Sequence, residues 1–357
     1  MPGATASSPT DRSTTGRRSN DIATHQVTNQ VPPLVDVDAT DSPVIAGALR
    51  RSRMDASSVE EIRALGRFAG SAEALALGDR AEAHPPVLKT HDRYGNRIDE
   101  VVYDPAYHQL MGGHAVRHGL HAAPPWMDPR PPDAHLIRAL KFSVWSHVDA
   151  GHGCPISMTY SVVPALRAAP SLASLYEPLL CATRYDPELR EPMTKRGLLA
   201  GMSMTEKQGG SDVRANTTDA LPCSDGTYRI TGHKWFTSAP PMSDLFLVLA
   251  QAPNGLSCFL VPRVLPDGTR NTFNLQRLKD KLGNRSNASS EVEYDETIGW
   301  PVGDEGRGVK IIVEMVNLTR LDCVLGTATA MRTGVAQAAH HAAHRSAFGG
   351  RVSTSNR

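Results

Sequence analysis

The hydrophobic periodicity of the chain changes twice, and these changes constrain its fold more than any other feature. From about Ser58, apolar residues recur every three or four positions, as in amphipathic helices. Near residue 197 the pattern becomes one of short apolar runs bounded by Gly, Pro and Asn, which indicates strands. After Gly306 a helical pattern returns and runs towards His344. The sequence therefore predicts helices, then a small antiparallel β-domain, then helices, and not the strand–helix alternation of a doubly wound dinucleotide-binding fold.

These changes divide a predicted α+β chain into four segments. The tail at 1–22 is rich in Ser, Thr, Arg and Gly, has no aromatic residue, and is expected to be disordered. A helical N-terminal domain over 23–196, a β-domain over 197–305 and the start of a C-terminal helical bundle over 306–357 follow it.

The N-terminal domain is predicted to be all-helical. Ser58 and Glu61 have the spacing of a capping box, and one helix is expected to run from there until Pro85-Pro86 ends it. Further helices are predicted at 105–119, 133–150, 155–168 and 171–181. In the β-domain, apolar runs at 245–250 and 256–261 predict strands, and the turn-forming stretches 253–255 and 266–268 predict hairpins.

Composition excludes several classes of protein. The 38 basic and 37 acidic side chains leave a net charge of +1, which gives no global bias towards nucleic acid or membrane. The longest apolar run, Leu245 to Ala250, is far shorter than the ~20 residues of a membrane-spanning helix. The five cysteines are widely spaced and odd in number, which argues against a disulfide framework and favours the cytoplasm. His340 and His344 have metal-ligand spacing but no third ligand, so no metal site is predicted.

Two stretches have side chains suited to binding a planar, phosphorylated cofactor. In residues 201–212, two adjacent glycines allow backbone N–H groups to approach an anion, and hydroxyls add neutral donors. In residues 231–238, two aromatics precede two hydroxyls at a strand end, where they could stack on a ring and hydrogen-bond its heteroatoms. Taken alone, the first stretch is equally typical of a solvent-facing turn, and the second of a core strand.

Four stretches in order resemble landmarks of the acyl-CoA dehydrogenase family, over about residues 23 to 350. They are 204–213, 232–238, 277–289 and 303–308. Two of these stretches resemble sequences of the adaptive-response, alkylation-protection branch of the family. They are Thr-Glu-Lys-Gln-Gly-Gly-Ser-Asp and Lys-Leu-Gly-Asn-Arg-Ser-Asn-Ala-Ser. The resemblance implies FAD as cofactor and α,β-dehydrogenation of an acyl-CoA thioester, with hydride transfer to the flavin N5.

The resemblance also implies which residues contact FAD. The Thr205 hydroxyl would lie along the pyrimidine edge of the flavin, and the loop from Gly209 to Ser211 would approach the pyrophosphate. Phe236 falls where the family usually has a stacking Trp, and Ser238 where a Thr hydroxyl points at N5. Arg345 begins an Arg-x-x-Phe-Gly motif whose Arg reaches the FAD of a neighbouring subunit. The complete predicted set is Met202, Ser203, Met204, Thr205, Glu206, Lys207, Gln208, Gly209, Gly210, Ser211, Phe236, Thr237, Ser238 and Arg345.

The resemblance leaves the catalytic base unassigned. The family places a carboxylate at one of two positions, of which one corresponds to Thr319 and the other lies beyond residue 357. Asp322 and Glu314 are nearby carboxylates, but at helical spacing they are expected to be solvated. Relative to the family the chain is expected to be truncated at its C-terminus.

An acyl-CoA-like molecule is the expected small-molecule partner, without a membrane, and the family resemblance implies a homo-oligomer. Two alternatives stay open: a flavin-carrying protein that protects double-stranded DNA, with DNA bound through a further C-terminal region, and an inactive truncated fragment.

Overall fold

The structure, a computed structural model, describes residues 28–239 and 242–354. The contacts between residues divide the chain into two compact units. The larger unit comprises residues 35–335, and the second unit comprises residues before 35 together with residues after 335. The predicted disordered tail at 1–22 lies outside the described residues, and the domain boundaries near 197 and 306 stay predictions.

Helices are the main secondary structure of residues 28–196. Their bounds are α1 Pro43–Arg51, α2 Ala56–Ala69, α3 Ala72–Ala83, α4 Pro105–Leu110 with a π-helical continuation Met111–Val116, α5 Ala134–Trp145, α6 Gly153–Leu166 and α7 Pro170–Leu180. The four later helices overlap the ranges that periodicity predicts, and α6 and α7 begin two residues and one residue earlier, respectively.

The prediction of an all-helical N-terminal region is wrong in one place. Strands β1 (Val87–His91) and β2 (Arg97–Val102) form an antiparallel hairpin. Its turn is closed by Asp92, whose side chain accepts hydrogen bonds from the backbone N–H groups of Tyr94 and Asn96. The strands are short and half exposed, so they leave little hydrophobic periodicity to detect.

The single helix predicted from Ser58 to Pro85 is two helices. Gly70 ends α2 because a Cβ there would lie 1.9 Å from the carbonyl oxygen of Val37, and Ser71 then caps α3 by accepting from the N–H of Ala74. The predicted capping box is also wrong: the N-cap of α2 is Asp55, whose carboxylate accepts from the N–H of Ser58.

Seven strands form one sheet in the order β3-β5-β4-β6-β7-β9-β8. Their bounds are β3 Ala200–Thr205, β4 Asp219–Pro222, β5 Tyr228–Thr237, β6 Leu245–Ala252, β7 Gly255–Pro262, β8 Phe273–Leu278 and β9 Ser290–Pro301. The β6–β7 hairpin is confirmed, whereas the turn at 266–268 closes only an isolated bridge from Val264 to Arg270. Most strand pairs are antiparallel, as predicted, but β6 pairs in parallel with β3 and β4.

Strand β6 shows why the β-domain has two apolar sides. Leu245, Leu247 and Leu249 pack with α6, α7 and the start of a long helix after Gly306, whereas Phe246 and Val248 pack among the other strands. An uninterrupted apolar run therefore reflects burial on both faces, and it fixes the helices against one face of the sheet.

Helix α8 spans Gly308–His344, as the pattern after Gly306 predicts. In the second unit, the end of this helix is followed by a short hairpin of β10 (Ser346–Ala347) and β11 (Gly350–Arg351).

Candidate functional site

The predicted cofactor-binding stretches meet where β3 and β5 end. Thr205 pairs with Phe236 in the strand register, and the N–H of Ser238 donates to the carbonyl oxygen of Met202 at 2.8 Å. The structure thus brings together the two stretches that the sequence separates by about thirty residues.

Glu206 organises the loop that follows β3. It is 3% exposed, and its carboxylate accepts from the Lys234 ammonium at 2.8 Å. It also accepts from the backbone N–H groups and hydroxyls of Thr217 and Thr218, at 2.6–3.1 Å. Its side chain is therefore a buried support of the loop, and its predicted contact with the cofactor stays a prediction.

The Glu206–Lys234 pair is ionised at neutral pH. Burial opposes ionisation of Glu206, but the hydrogen bonds from Lys234, Thr217 and Thr218 outweigh it and lower the pKa of the carboxyl to about 2. Burial lowers the pKa of Lys234 to about 8, against the opposing effect of Glu206. Both groups consequently carry charge at pH 7.

The loop above Glu206 is shaped by glycine. Gly209 has a φ of +104° and donates its N–H to the carbonyl oxygen of Glu206 at 3.0 Å, which closes a tight turn. A Cβ on Gly210 would lie 2.9 Å from the Thr205 hydroxyl oxygen. The glycines leave the Thr205 hydroxyl and the neighbouring backbone accessible; Lys207, Gln208 and Ser211 are exposed on the same loop.

The two aromatics of β5 have different surroundings. Trp235 is half-buried, and its ring is covered by the Lys279 ammonium at 3.4 Å and by the Arg277 guanidinium at 5.4 Å. Phe236 is 42% exposed, and the Lys279 ammonium also lies 4.9 Å from its ring centroid. Phe236 therefore has the more exposed of the two rings, and its stacking on a flavin stays a prediction.

Two of the predicted hydroxyls are engaged within the protein. Ser203 and Thr237 are fully buried, and their side-chain oxygens are hydrogen-bonded to each other at 2.7 Å. Met202 and Met204 are half-buried and pack on the apolar core between the sheet and the helices. These four residues shape the site through the backbone and the packing around it.

The β3 side of this face packs near a cavity. Met202 and Met204 pack on the apolar cluster that contains Met158, and Met158 lines the cavity together with Cys154. Burial raises the pKa of the Cys154 thiol.

The cavity has a volume of about 420 Å³ and is bounded mainly by α5, α6 and α8. Small residues leave it open: a Cβ on Gly153 or Gly326 would approach the Phe142 ring to 3.7 and 3.9 Å. The lining residues are Phe142, Ser146, Ala150, Gly153, Cys154, Ser157, Met158, Asn284, Thr319, Asp322, Cys323, Gly326, Thr327 and Ala330. Apart from Thr319 and Asp322, sequence reasoning missed these residues, because they come from three helices and connecting loops that are far apart in the chain.

The prediction that Asp322 is solvated is wrong. Asp322 is 2% exposed, lines the cavity and forms an ion pair with Arg138, which is 1% exposed. The Arg138 guanidinium also lies over the Tyr160 and Phe142 rings, at 4.1 and 4.6 Å from their centroids. Glu314 is exposed, as expected.

Arg345 lies in the second unit. It is exposed, and its guanidinium donates to the carbonyl oxygen of Asn29 at 3.0 Å.

None of the helices in the described part of the chain is long and apolar enough to cross a membrane. Among the residues of known placement, no cluster of three or more His, Cys, Asp or Glu could hold a metal ion.

Both the helical N-terminal region and the β-domain match models of known protein families. Residues 29–187 match the family model described as adaptive response protein AidB N-terminal domain, and residues 201–297 match the acyl-CoA dehydrogenase middle domain.

Among curated proteins, the chain is 45% identical over 328 residues to "Putative acyl-CoA dehydrogenase AidB" of Escherichia coli (strain K12), covering 91% of this chain and 60% of that protein. Among solved structures, it is similar to Caenorhabditis elegans ACDH-11 in complex with C11-CoA, with a TM-score of 0.82, 27% identity, and coverage of 98% of this chain and 59% of that one. It is also similar to the apo-form of Bd2924, with a TM-score of 0.81, 26% identity, and coverage of 91% and 65%. The chain thus spans about 60% of the length of these relatives.

Proposed function

Because the chain belongs to the acyl-CoA dehydrogenase family, we propose that it binds FAD where β3 and β5 end and accepts an acyl-CoA whose acyl chain enters the cavity beside α8. The observation that carries this proposal is that Met202 and Met204, on the same strand as Thr205, pack on the apolar cluster that contains Met158, which lines the cavity.

The residues at this face fit a flavin. Phe236 presents an exposed ring for stacking, and the Thr205 hydroxyl has no protein partner among the described residues. Gly209 closes the turn with its own N–H, and neither glycine has a side chain, so a phosphate can approach the backbone of this turn without side-chain obstruction. Bound FAD supplies the acceptor for the hydride that leaves the β-carbon of an acyl thioester.

The cavity fits the acyl part of the substrate. It is enclosed by Phe142, Met158 and small residues of α6 and α8, and the C. elegans relative of the same fold was crystallised with C11-CoA. Thr319 lines the cavity without supplying a carboxylate, and Asp322 is held by Arg138. We therefore assign substrate binding to these residues and leave the catalytic base unassigned.

The test is to load the purified chain with FAD and titrate it anaerobically with acyl-CoA thioesters while recording the visible absorbance of the flavin. We expect acyl-CoA to perturb the flavin spectrum in a saturable way. A spectrum unchanged by any acyl-CoA, with no heat of binding by calorimetry, would contradict the proposal.

A second proposal is a flavin-carrying protein that binds double-stranded DNA, favoured by the match of residues 29–187 to the AidB N-terminal domain. Duplex binding that weakens steeply with added salt is the expected signature, since phosphate contacts release counterions. Binding that is absent at low salt would contradict it.

Cytoplasmic residence and assembly into homo-oligomers are proposed on the same family membership.

A further inference from the structure

One lysine outside the predicted cofactor-binding set contacts both aromatic rings at the end of β5. The Lys279 ammonium lies 3.4 Å from the centroid of the Trp235 ring and 4.9 Å from that of Phe236. Lys279 directly follows β8, and β9 pairs with both β8 and β5, which brings Lys279 close to these rings. An ammonium within about 6 Å of a ring centroid is attracted to the negative face of the ring.

A bulge in β5 brings the two rings to the same ammonium. Successive side chains of a regular strand point to opposite faces of a sheet. The register of β5 against β9 shifts between Lys234 and Thr237, where three residue steps of β5 oppose two of β9. The extra residue interrupts the alternation at Trp235 and Phe236, since a bulge changes the direction of nearby side chains. A single cation can therefore contact both rings.

The cluster around Lys279 has one positive charge in excess. Glu291 accepts from the Lys279 ammonium at 2.7 Å and from the Arg277 guanidinium at 2.5 Å. Burial opposes ionisation of Glu291, but these two cations hold its pKa below the ordinary value, so one carboxylate faces two cations. Glu293, which lies 3.4 Å from His233, has a side chain that is 53% exposed. Solvent therefore screens its charge more than that of Lys279, whose side chain is 8% exposed.

The contact with Lys279 changes which ring Phe236 attracts. The Phe236 ring is 42% exposed although an ammonium lies over it. A cation draws the π electrons of a ring towards itself, which makes the rest of the ring surface less negative. Such a surface attracts an electron-rich ring more strongly than an electron-poor one, and a flavin ring gains electron density when it is reduced. Lys279 thus favours reduced over oxidised FAD at this face.

Resting on the proposed function, we infer that Lys279 is a positioning residue that holds and polarises the Phe236 ring, and that it raises the reduction potential of the bound flavin. The oxidation state that is bound more tightly becomes the more populated one. A flavin with a raised potential is a better acceptor for the hydride that leaves the β-carbon of an acyl thioester.

The experiment is a reductive titration of the FAD-loaded chain in the presence of redox dyes of known potential, followed by visible absorbance. In Lys279→Met, we expect the ratio of the affinities for reduced and oxidised FAD to fall about three- to tenfold, as for the loss of one cation–π contact. This fall corresponds to a midpoint potential lowered by about 15–30 mV for a two-electron couple. Fluorescence quenching measures the affinity for oxidised FAD separately.

Matched variants distinguish polarisation of the ring from a merely structural role. Lys279→Arg keeps a cation at this position and should retain the potential of the unmodified chain. Lys89→Met removes an exposed cation from β1 and should also leave the potential unchanged. In a Phe236→Leu background, Lys279→Met should shift the potential by less than half as much, because Lys279 acts through the ring. Thermal unfolding confirms that each variant folds, and Lys279→Gln replaces Lys279→Met if the latter does not.

The outcomes are distinct. Bound FAD with the same potential in the unmodified chain and in the variant that lacks the Lys279 charge would overturn this inference and leave the proposed function standing. Absence of FAD binding by the folded, unmodified chain would overturn both. A potential shift from Lys279→Met that is equally large in the Phe236→Leu background would overturn the action through the ring.

Discussion

Two of the buried ion pairs in the described residues differ in how completely their polar atoms are satisfied. In the β-domain, Glu206 accepts from Lys234 and from the backbone and hydroxyls of Thr217 and Thr218. Beside the cavity, the Asp322–Arg138 pair leaves Asp322 Oδ2 and Arg138 Nη2 without partners among the described residues. The first pair is a fully hydrogen-bonded support for a loop, whereas the second pair keeps two unpaired buried polar atoms.

The largest expected effect is the removal of one charge from the β-domain pair. Glu206→Gln leaves the Lys234 ammonium buried without a counter-charge, and should lower the free energy of unfolding by about 3–5 kcal/mol. Denaturant unfolding measures this loss. Glu314→Gln, at an exposed position of α8, is the control and should change stability by less than about 0.5 kcal/mol. Similar losses in both variants would contradict the role of Glu206.

Replacing both members of each pair distinguishes the two regions directly. Arg138→Met/Asp322→Leu should keep stability near that of the unmodified chain, because apolar residues often replace a buried ion pair without loss. Glu206→Leu/Lys234→Met should still lose stability, although less than Glu206→Gln, since the N–H groups of Thr217 and Thr218 lose their acceptor but no unpaired charge stays buried. Equal stability of the two double variants, measured by denaturant unfolding, would remove the distinction.

The β-domain pair also predicts a pH dependence. The pKa of Glu206 is about 2 in the folded chain, below its ordinary value of 4.5. The folded state therefore binds fewer protons than the unfolded state between these values, and the contribution of Glu206 is complete above about pH 5 and lost as pH falls towards 2.

Glu61 has its pKa lowered to about 2 as well, by His118 and Lys141 against the effect of burial, so the total acid sensitivity is shared. The difference in unfolding free energy between the unmodified chain and Glu206→Gln isolates one carboxyl, and it should shrink by about 2–3 kcal/mol between pH 6 and pH 2.5. A difference that does not change over this range would contradict the pKa shift of Glu206.

The smallest expected effect is at the exposed face. Phe236→Ala should weaken FAD binding by about 0.5–1.5 kcal/mol through loss of ring stacking, while leaving unfolding nearly unchanged because Phe236 is exposed. Phe236→Trp is the matched control and should retain the affinity. Fluorescence quenching of added FAD measures both. Equal affinity of Phe236→Ala and the unmodified chain would show that this ring does not stack on the flavin.

Features set by neighbouring residues could be predicted from the sequence, whereas features set by contacts between distant residues could not. The loop after β3 and the aromatics of β5 are local motifs, and α8 has a periodic pattern, so their existence and order could be inferred from nearby residues. The burial of Asp322 could not, because its partner Arg138 lies 184 residues away and only the tertiary packing of α5 and α8 joins them. The β1–β2 hairpin was missed because two short, half-exposed strands carry almost no periodic signal.

We propose that the Glu206–Lys234 pair supports the loop of a flavin-binding face in the β-domain. Titration of the purified chain with FAD, followed by visible absorbance and calorimetry, tests it most directly. We expect saturable binding with a perturbed flavin spectrum, weakened in Phe236→Ala and retained in Phe236→Trp. A spectrum identical to that of free FAD, with no heat of binding to a cooperatively folded chain, would contradict the account.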